Sequence, residues 1–300
     1  MDKTTPGWDL YRSFLAVLQE GSLSGAARAL NLAQPTIGRQ IDALEQAFGE
    51  ALFIRSVHGL LPTEAATALR PHAEAIAAHA AALVRTASGR RGVVEGTVRI
   101  TASEVIGVEV LPPILAALRR QYPALVLELA LSNAVEDLLR READIAVRMV
   151  EPRQEALLAQ RVGDIRLGLH ARQEYLDRHG IPERREDLAH HTLIGFDRET
   201  AVINAMRRRV AGLDRANFAL RADSDLAQLA AIRAGFGIGV CQAGIARRDP
   251  VLRRVLANDF DIPLPSWVVM HESMAGSPRC RAVFDTLVAG LVAYGRESGG

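Results

Sequence analysis

Apolar residues recur at helical spacing in the first thirty positions of the chain. Those of the first predicted helix lie on one face: Leu10, Phe14, Leu15 and Leu18. Gly21 is expected to end this helix, and Ser22 to cap the next one over residues 23–30, because glycine tolerates the left-handed turn and a serine hydroxyl accepts from free backbone amides. Two short amphipathic helices are therefore predicted before position 31.

A third helix is predicted to begin at Gln34, after a short turn at residues 31–33. Pro35 fits its first turn, where the missing backbone N–H leaves no hydrogen bond unmade. Its inward stripe is apolar and consists of Ile37, Ile41 and Leu44. The polar residues expected to face outward near its start are Gln34, Thr36, Arg39 and Gln40. Two short helices, a tight turn and a polar-fronted second helix indicate a helix-turn-helix motif.

The polar front of the third helix has the chemistry for reading DNA bases. In a helix-turn-helix, the second helix enters the major groove with its N-terminal residues. Arginine and glutamine match guanine and adenine edges, and threonine offers a hydroxyl and a methyl group. The residues alone also fit a generic three-helix bundle with no role on nucleic acid.

A small β-hairpin is predicted after Gly49. Residues 51–55 have a strand pattern, 56–59 a turn pattern, and 60–63 form the return strand. Such a wing would place Arg55 and His58 beside DNA phosphates.

A long helix is predicted from a Thr63 cap to about residue 86. Its apolar residues alternate spacings of four and three, as in a coiled-coil seam: Leu69, Ala73, Ile76, Ala80, Leu83 and Ala87. Dimerisation is the expected use, because it matches two recognition helices to two half-sites. Packing of this helix on its own domain is the alternative. Residues 88–92 break the pattern and indicate a hinge.

The remaining two hundred residues alternate short apolar runs with helical patterns. Strands at 98–102, 125–131 and 144–149 enclose helices at 111–121 and 135–141, which predicts a parallel open sheet. A second set has strands at 164–171, 192–196, 218–221 and 237–240 and a helix at 225–234, before a return strand at 267–270 and a last helix at 278–295. Two subdomains, with crossings near 160–164 and 265–271, would enclose a ligand cleft.

Polar side chains follow the predicted strands at the edge where such sheets bind ligands. Thr101 lies at the end of the first strand and Ser103 follows it, Asn133 follows the second, Arg148 ends the third, and Ser224 precedes a helix of the second subdomain. Hydroxyls, nearby amides and a guanidinium suit an anion, so a carboxylate-bearing metabolite is the hypothesis for the ligand. The alternative is that the two serines only cap helices and that the arginine forms a surface ion pair.

Composition limits the number of domains and gives one observation against DNA binding. Three hundred residues suggest two or three domains, and 49% hydrophobic with 24% charged residues is ordinary for globular chains. The net charge is +1, and the first 91 residues hold nine Lys/Arg against eight Asp/Glu. No global basic field attracts DNA, so contacts must come from a local arrangement of charges.

Other function classes lack their motifs. No signal peptide or membrane span is evident, which together with two distant cysteines predicts a cytoplasmic protein. We find no nucleophile elbow, paired-carboxylate motif, P-loop or metal-ligand set, so neither an enzyme nor a cofactor is expected. His190-His191 lacks further ligands at metal-binding spacing. An enzyme or metabolite-binding protein with a helical appendage, and a redox regulator acting through Cys241, remain alternatives.

The N-terminal residues resemble the signature of LysR-type transcriptional regulators. The resemblance is dense over about fifty residues and rests on Phe14-Leu15-Ala16-Val17, Gly21-Ser22-Leu23-Ser24-Gly25-Ala26-Ala27, Leu30, Gln34-Pro35-Thr36-Ile37-Gly38-Arg39-Gln40-Ile41, Leu44-Glu45, Gly49, Leu52-Phe53-Ile54-Arg55 and Thr63. It implies an all-α winged helix-turn-helix with a long linker helix, and an α/β periplasmic-binding-protein-like effector domain of two subdomains.

The resemblance also implies boundaries, partners and contacts. The domains would be residues 1–63 for DNA binding, 64–91 for the linker helix and hinge, and 92–300 for effector binding, with subdomain I at 92–161 and 269–300 and subdomain II at 162–268. The implied partners are double-stranded DNA, a small-molecule effector, further copies in a homodimer or homotetramer, and RNA polymerase. Base and phosphate contacts fall on Gln34, Pro35, Thr36, Arg39 and Arg55, and effector contacts on Ser103 and the strand ends. Gly38 departs from the family, which usually has serine there.

Overall fold

The computed structural model describes residues 6–56, 59–87, 94–133, 143–152, 157–199 and 213–299. These residues divide into two compact units, one ending at Val84 and the other beginning at Arg85. The helix predicted over 135–141 lies outside the described residues.

The first unit is helical with a two-stranded wing. Its elements are α1 (Trp8–Glu20), α2 (Leu23–Leu30), α3 (Gln34–Phe48), β1 (Phe53–Ser56), β2 (Gly59–Pro62) and α4 (Glu64–Ala87). Gly21 ends α1 with a φ of 65°, and the Ser22 hydroxyl accepts from the Gly25 amide at the start of α2. Strands β1 and β2 pair antiparallel. The predicted caps and helix bounds are confirmed here because local chemistry fixes them.

One apolar cluster holds this unit together. Phe14, Val17, Ile37, Ile41 and Leu44 are all buried in it, so α3 packs its predicted inward stripe on α1. The Glu45 carboxylate accepts from the backbone amides of Leu52 and Phe53, at 2.7 and 3.2 Å. The end of the recognition helix is thereby tied to the first strand of the wing.

The predicted seam of α4 has two different environments. Ala73 is buried and Leu69 is partly buried against the cluster of the first unit. Ile76 and Leu83 are exposed, and Leu83 leaves 72% of its surface uncovered. The first part of the seam therefore packs on its own domain, and the dimerisation hypothesis applies to the second part.

The second unit is an α/β structure. Its strands are β3 (Gly96–Ala102), β4 (Leu125–Leu131), β5 (Ile145–Arg148), β6 (Leu157–Arg172), β7 (Leu193–Gly195), β8 (Phe218–Arg221), β9 (Gly239–Gln242), β10 (Leu252–Val255) and β11 (Ile262–His271). Its α-helices are α5 (Leu111–Gln121), α6 (Gln173–His179), α7 (Asp225–Arg233), α8 (Ala243–Arg248) and α9 (Pro278–Gly299). A π-helical turn at Ile106–Val110 precedes α5, and a 3₁₀ turn at Arg185–His190 precedes β7.

Two long strands run through the whole of this unit. The main sheet has seven strands in the order β10-β6-β11-β5-β3-β4, with β9 also on β6. Strand β3 pairs parallel with β4 and β5, as predicted. Strands β6 and β11 pair antiparallel along their length, with an irregularity between Ser266 and Trp267. Beyond this point β11 pairs with β5, whereas the other half of β6 pairs with β9 and β10. The two subdomains are therefore joined by continuous strands.

The free energy of unfolding of the second unit is expected to fall in acid because of His170 on β6. Its side chain is buried, and its Nδ1 lies 2.9 Å from the carbonyl oxygen of Gly168. Burial lowers the pKa of His170 from 6.5 to about 4. Between these values the unfolded chain binds a proton that the folded protein does not, so stability is lost as the pH falls. From pH 7 to pH 5 this amounts to about 2 kcal/mol, at about 1.4 kcal/mol per unit below 6.5.

Urea unfolding of the wild type and of His170→Gln at both pH values measures this loss. Glutamine keeps a hydrogen-bond donor but does not titrate, so the variant should lose about 2 kcal/mol less than the wild type. Equal losses in the two proteins would show that His170 is not the acid-sensitive group.

Candidate functional site

The front of α3 presents polar side chains to solvent. Gln34, Pro35 and Arg39 are exposed, and Thr36 is partly exposed. The Ser24 hydroxyl donates to the Gln34 side-chain oxygen at 3.2 Å, and Arg39 Nε donates to the Pro35 carbonyl at 3.3 Å. Both contacts hold the side chains at the N-terminal end of the helix, where a major-groove reader makes its base contacts.

Gln40 does not face outward as expected. It is partly buried, and its Oε1 accepts a hydrogen bond of 2.6 Å from the buried hydroxyl of Ser13 on α1. This hydrogen bond stabilises the packing of α3 on α1. The prediction that Gln40 belongs to the outward polar set is therefore wrong.

Gly38 has room for a larger residue. A Cβ at this position would meet only Leu23 Cδ1 within 4 Å, at 3.8 Å. Packing therefore does not require glycine here, and the chain accepts a helix penalty of up to about 1 kcal/mol relative to alanine.

The wing supplies one described candidate. Arg55 is exposed on β1 and has Leu60 of β2 as its antiparallel partner. His58, the other predicted phosphate contact, lies outside the described residues.

The predicted effector residues lie at the carboxyl ends of the parallel strands in the second unit. Arg148 is buried at the end of β5, so it is not a surface ion pair. Its Nη2 donates to Thr101 Oγ1 at 3.0 Å, and its Nη1 donates to the Val147 carbonyl at 3.0 Å. Ser103 is partly buried, and its hydroxyl contacts the Met149 sulfur at 3.9 Å. These strands bring one cation and two hydroxyls to a single edge.

Side chains from the two subdomains meet directly at this edge. The Ser224 hydroxyl, which also caps α7, donates to Glu104 Oε2 at 3.0 Å. Asn133 accepts from the Glu104 backbone amide at 3.1 Å and donates to Asp225 Oδ2 at 3.2 Å. Both predicted residues, Asn133 and Ser224, therefore take part in hydrogen bonds between the two subdomains.

Two carboxylates in these hydrogen bonds, those of Glu104 and Asp225, were not predicted from the sequence. Burial, followed by the charge of Glu104, raises the pKa of Asp225 to about 6, and the hydrogen bond from Asn133 opposes the rise. The signal was present for Asp225, because acidic residues favour the first turn of a helix and this one follows the predicted cap Ser224. This edge of the sheet is therefore less cationic than Arg148 alone suggested.

A second link between the subdomains lies at the other end of α7. Arg233 donates to both carboxylate oxygens of Glu109, at 2.7 and 2.8 Å, and to Asp249 at 3.1 Å. The hydrogen bond from Arg233 lowers the pKa of Glu109. Helix α7 is thus held against the π-helical segment of subdomain I by a charged, bidentate contact.

Neither cysteine resembles a redox sensor. Both Cys241 and Cys280 are buried, and burial raises the pKa of Cys241 to about 12. A sensor needs a thiolate, which this environment disfavours. Among the described residues, no group of three or more His, Cys, Asp or Glu side chains is placed to hold a metal ion. In the same ranges, no helix has the length and apolar character that spanning a bilayer requires.

Comparison with known families decides the class of the protein. The model of the LysR substrate binding domain matches residues 91–291. The model described as bacterial regulatory helix-turn-helix protein, lysR family, matches residues 8–67. The chain belongs to the LysR family. Its members are transcriptional regulators with a DNA-binding helix-turn-helix and a ligand-binding domain, so the predicted two-part architecture is confirmed.

Individual LysR-type proteins agree with this assignment. An HTH-type transcriptional regulator of Xanthomonas campestris pv. campestris is 28% identical over 291 residues, which cover 93% of this chain and 83% of the relative. The regulator CrgA of Neisseria meningitidis is 26% identical in its solved structure, with a TM-score of 0.59 over 94% of this chain and 98% of CrgA. The LysR family regulator CbnR has the same fold at 22% identity, with a TM-score of 0.67 over 98% of this chain and all of CbnR.

Proposed function

We propose that this protein binds a specific DNA operator through the front of α3 and changes its activity when a small carboxylate enters the cleft of the second unit. Gln34, Thr36 and Arg39 would contact base edges, Pro35 would set the backbone beside them, and Arg55 would contact phosphate. The observation that carries the DNA half is the exposed polar front on a helix whose opposite stripe is fully buried.

One further observation limits how DNA can be bound, and another supports binding. The chain has no excess of positive charge that would attract DNA at long range, since its net charge is +1. Recognition therefore depends on a few placed side chains rather than on a general basic field. The structure of CbnR, which has the same fold, has also been solved in complex with its target DNA.

Self-association is part of the proposal. The exposed Ile76, Leu83 and Val84 form an apolar strip on the second half of α4. Such a strip is expected to be covered by a second copy of the chain, which would place two recognition helices on two half-sites. A homotetramer then requires a second contact, and RNA polymerase would be a later partner in transcription.

The effector half rests on Ser103. Its hydroxyl contacts a thioether sulfur, which is a weak acceptor, so it is available to a stronger one such as a carboxylate oxygen. Thr101 and the buried Arg148 lie at neighbouring strand ends and would add a hydroxyl and positive charge. Asn133 is hydrogen-bonded to Asp225 and Ser224 to Glu104, so these side chains connect the two sides of the proposed cleft. A ligand entering the cleft would replace these hydrogen bonds with its own.

A fluorescence-anisotropy titration against the intergenic DNA upstream of the protein's own gene tests both halves. We expect saturable binding that survives excess unrelated DNA at a fixed, stated salt concentration, because phosphate contacts alone would be lost to competitor. Adding millimolar succinate or benzoate should shift the operator affinity.

The Ser103→Ala variant separates the two halves of the proposal. It should keep the wild-type operator affinity and lose the response to carboxylates. Binding that any competitor removes equally would contradict the DNA half. An unchanged carboxylate response in Ser103→Ala, or no response in the wild type, would contradict the effector half.

A further inference from the structure

A cavity of about 410 Å³ lies in subdomain II, away from the strand ends described above. Its walls come from the 3₁₀ turn at Arg185–His190, from His191 and from Leu193 at the start of β7. This volume is within the range of small-molecule sites in proteins.

The cavity and the hydrogen-bonded Ser224 lie at opposite ends of one small sheet. Strands β7 and β8 run parallel, and the cavity is beside Leu193, where β7 begins. At the other end, the Ala222 amide donates to the Gly195 carbonyl, and Ser224 follows two residues later. The three residues of β7 separate the two places by about 10 Å of strand.

The hydrogen-bond partners of His191 are compatible with a ring proton on Nε2. The Thr192 amide donates to the Tyr175 hydroxyl at 2.8 Å, so the hydroxyl proton is free to point to His191 Nδ1 at 3.3 Å. When the hydroxyl donates that proton to Nδ1, the ring proton of neutral His191 is on Nε2. Burial, followed by the charge of His179, lowers the pKa of His191, which favours the neutral ring. In that tautomer His191, which lines the cavity, carries one uncharged N–H donor.

The rest of the lining favours a ligand without net charge. Arg185 is engaged by Asp259, with Nη2 donating to its carbonyl at 2.8 Å and Nε 3.3 Å from its carboxylate. Glu186 is exposed, so water solvates its carboxylate and the cavity does not require a cation to balance it. The buried side chains of Leu188 and Leu193 form an apolar floor. An ion of either sign would be desolvated here without a surplus of opposite charge.

We propose that this cavity is a second ligand site of the protein, which takes a small uncharged ring compound bearing a hydrogen-bond acceptor. The ring packs on Leu188 and Leu193, and its acceptor receives the Nε2–H of His191. The site goes beyond the proposed effector cleft and does not depend on it.

Ligand-observed NMR titrations of the full-length protein test the site with three compounds of one shape. Phenol is uncharged, benzoate is an anion and benzylammonium is a cation. We expect phenol to bind with a millimolar Kd, and expect Ala189→Leu to weaken it at least tenfold because the added side chain fills the cavity at an exposed position. His191→Phe, which keeps a ring but removes the donor, should weaken phenol about fivefold or more.

Matched controls separate this site from the cleft. Ala275→Leu makes the same change at an exposed position that does not line the cavity, and should leave phenol binding unchanged. Ser103→Ala should also leave it unchanged. The proposal is overturned if phenol does not bind, if Ala189→Leu has no effect, if Ser103→Ala removes phenol, or if Ala189→Leu weakens benzoate or benzylammonium as strongly as phenol. None of these outcomes depends on DNA binding.

Discussion

Replacing Leu44 with alanine is expected to destabilise the first unit by about 3 kcal/mol, because a fully buried leucine loses its contacts and leaves a cavity. Leu44 belongs to the cluster that joins α1 to α3, and this cluster is separate from those of the second unit. For a unit of this size the change corresponds to a fall in Tm of about 12–24 °C. Scanning calorimetry should show this fall in one transition only.

Leu61→Ala is the matched control for this experiment. It removes the same atoms from a side chain in the wing that is 54% exposed, so its cost should stay near 0.5 kcal/mol or below. Equal shifts for the two variants, or a shift of the transition that belongs to the second unit, would contradict the assignment of Leu44 to the core of the first unit. Operator binding by Leu44→Ala should be lost above the lowered Tm and retained well below it.

The elements predicted correctly are those that short-range chemistry determines. Gly21 and Ser22 fix the turn between α1 and α2 through a left-handed φ and a side-chain cap, and both effects act within four residues. The short elements α6, α8 and β10 have four to seven residues, and no side-chain cap hydrogen bond marks the start of either helix. Packing on β6 determines them, and a sequence pattern does not contain that information.

The position of Gln40 could have been predicted correctly from helix geometry. At 100° per residue, Gln40 lies 60° from Ile37 and 100° from Ile41, at the margin of the buried stripe rather than opposite to it. Arg39 lies 160° from both of these residues and is exposed as expected. Treating the margin of a helix as solvent-facing caused the error, because a short α1 residue such as Ser13 leaves room for an inward glutamine.

The hydrogen bonds from Ser224 to Glu104 and from Asn133 to Asp225 could not be predicted from local sequence patterns. Ser224 and Glu104 are 120 residues apart, and Asn133 and Asp225 are 92 apart. The strand-end rule placed Asn133 and Ser224 at the cleft, because it follows from sheet topology. This rule does not specify which side chains form hydrogen bonds between the subdomains, so it did not predict the carboxylates of Glu104 and Asp225. Arg148 was expected either to touch ligand or to lie on the surface, and burial beside Thr101 excludes the second alternative.

Replacing Arg39 with alanine is expected to weaken specific operator binding by about 5- to 150-fold, since a bidentate arginine–guanine contact contributes about 1–3 kcal/mol. The side chain is exposed, and its Nε donates to the Pro35 carbonyl, which leaves the two terminal nitrogens free to point together toward a base. Anisotropy titrations on operator and on unrelated DNA, each at several salt concentrations, measure the loss. Affinity for unrelated DNA and the salt slope should change little, because a base contact releases few counterions.

Two further variants decide what Arg39 does. Arg12→Ala removes the same charge from an exposed position on α1, outside the recognition helix and the wing, so it should leave operator affinity within about twofold. Arg39→Lys keeps the charge but cannot make the planar, paired contact, so it should lose most of what Arg39→Ala loses. If Arg39→Lys instead restores full affinity, Arg39 contacts a phosphate and specificity rests on Gln34 and Thr36. If Arg12→Ala is as damaging as Arg39→Ala, net charge governs binding and base recognition by Arg39 is refuted.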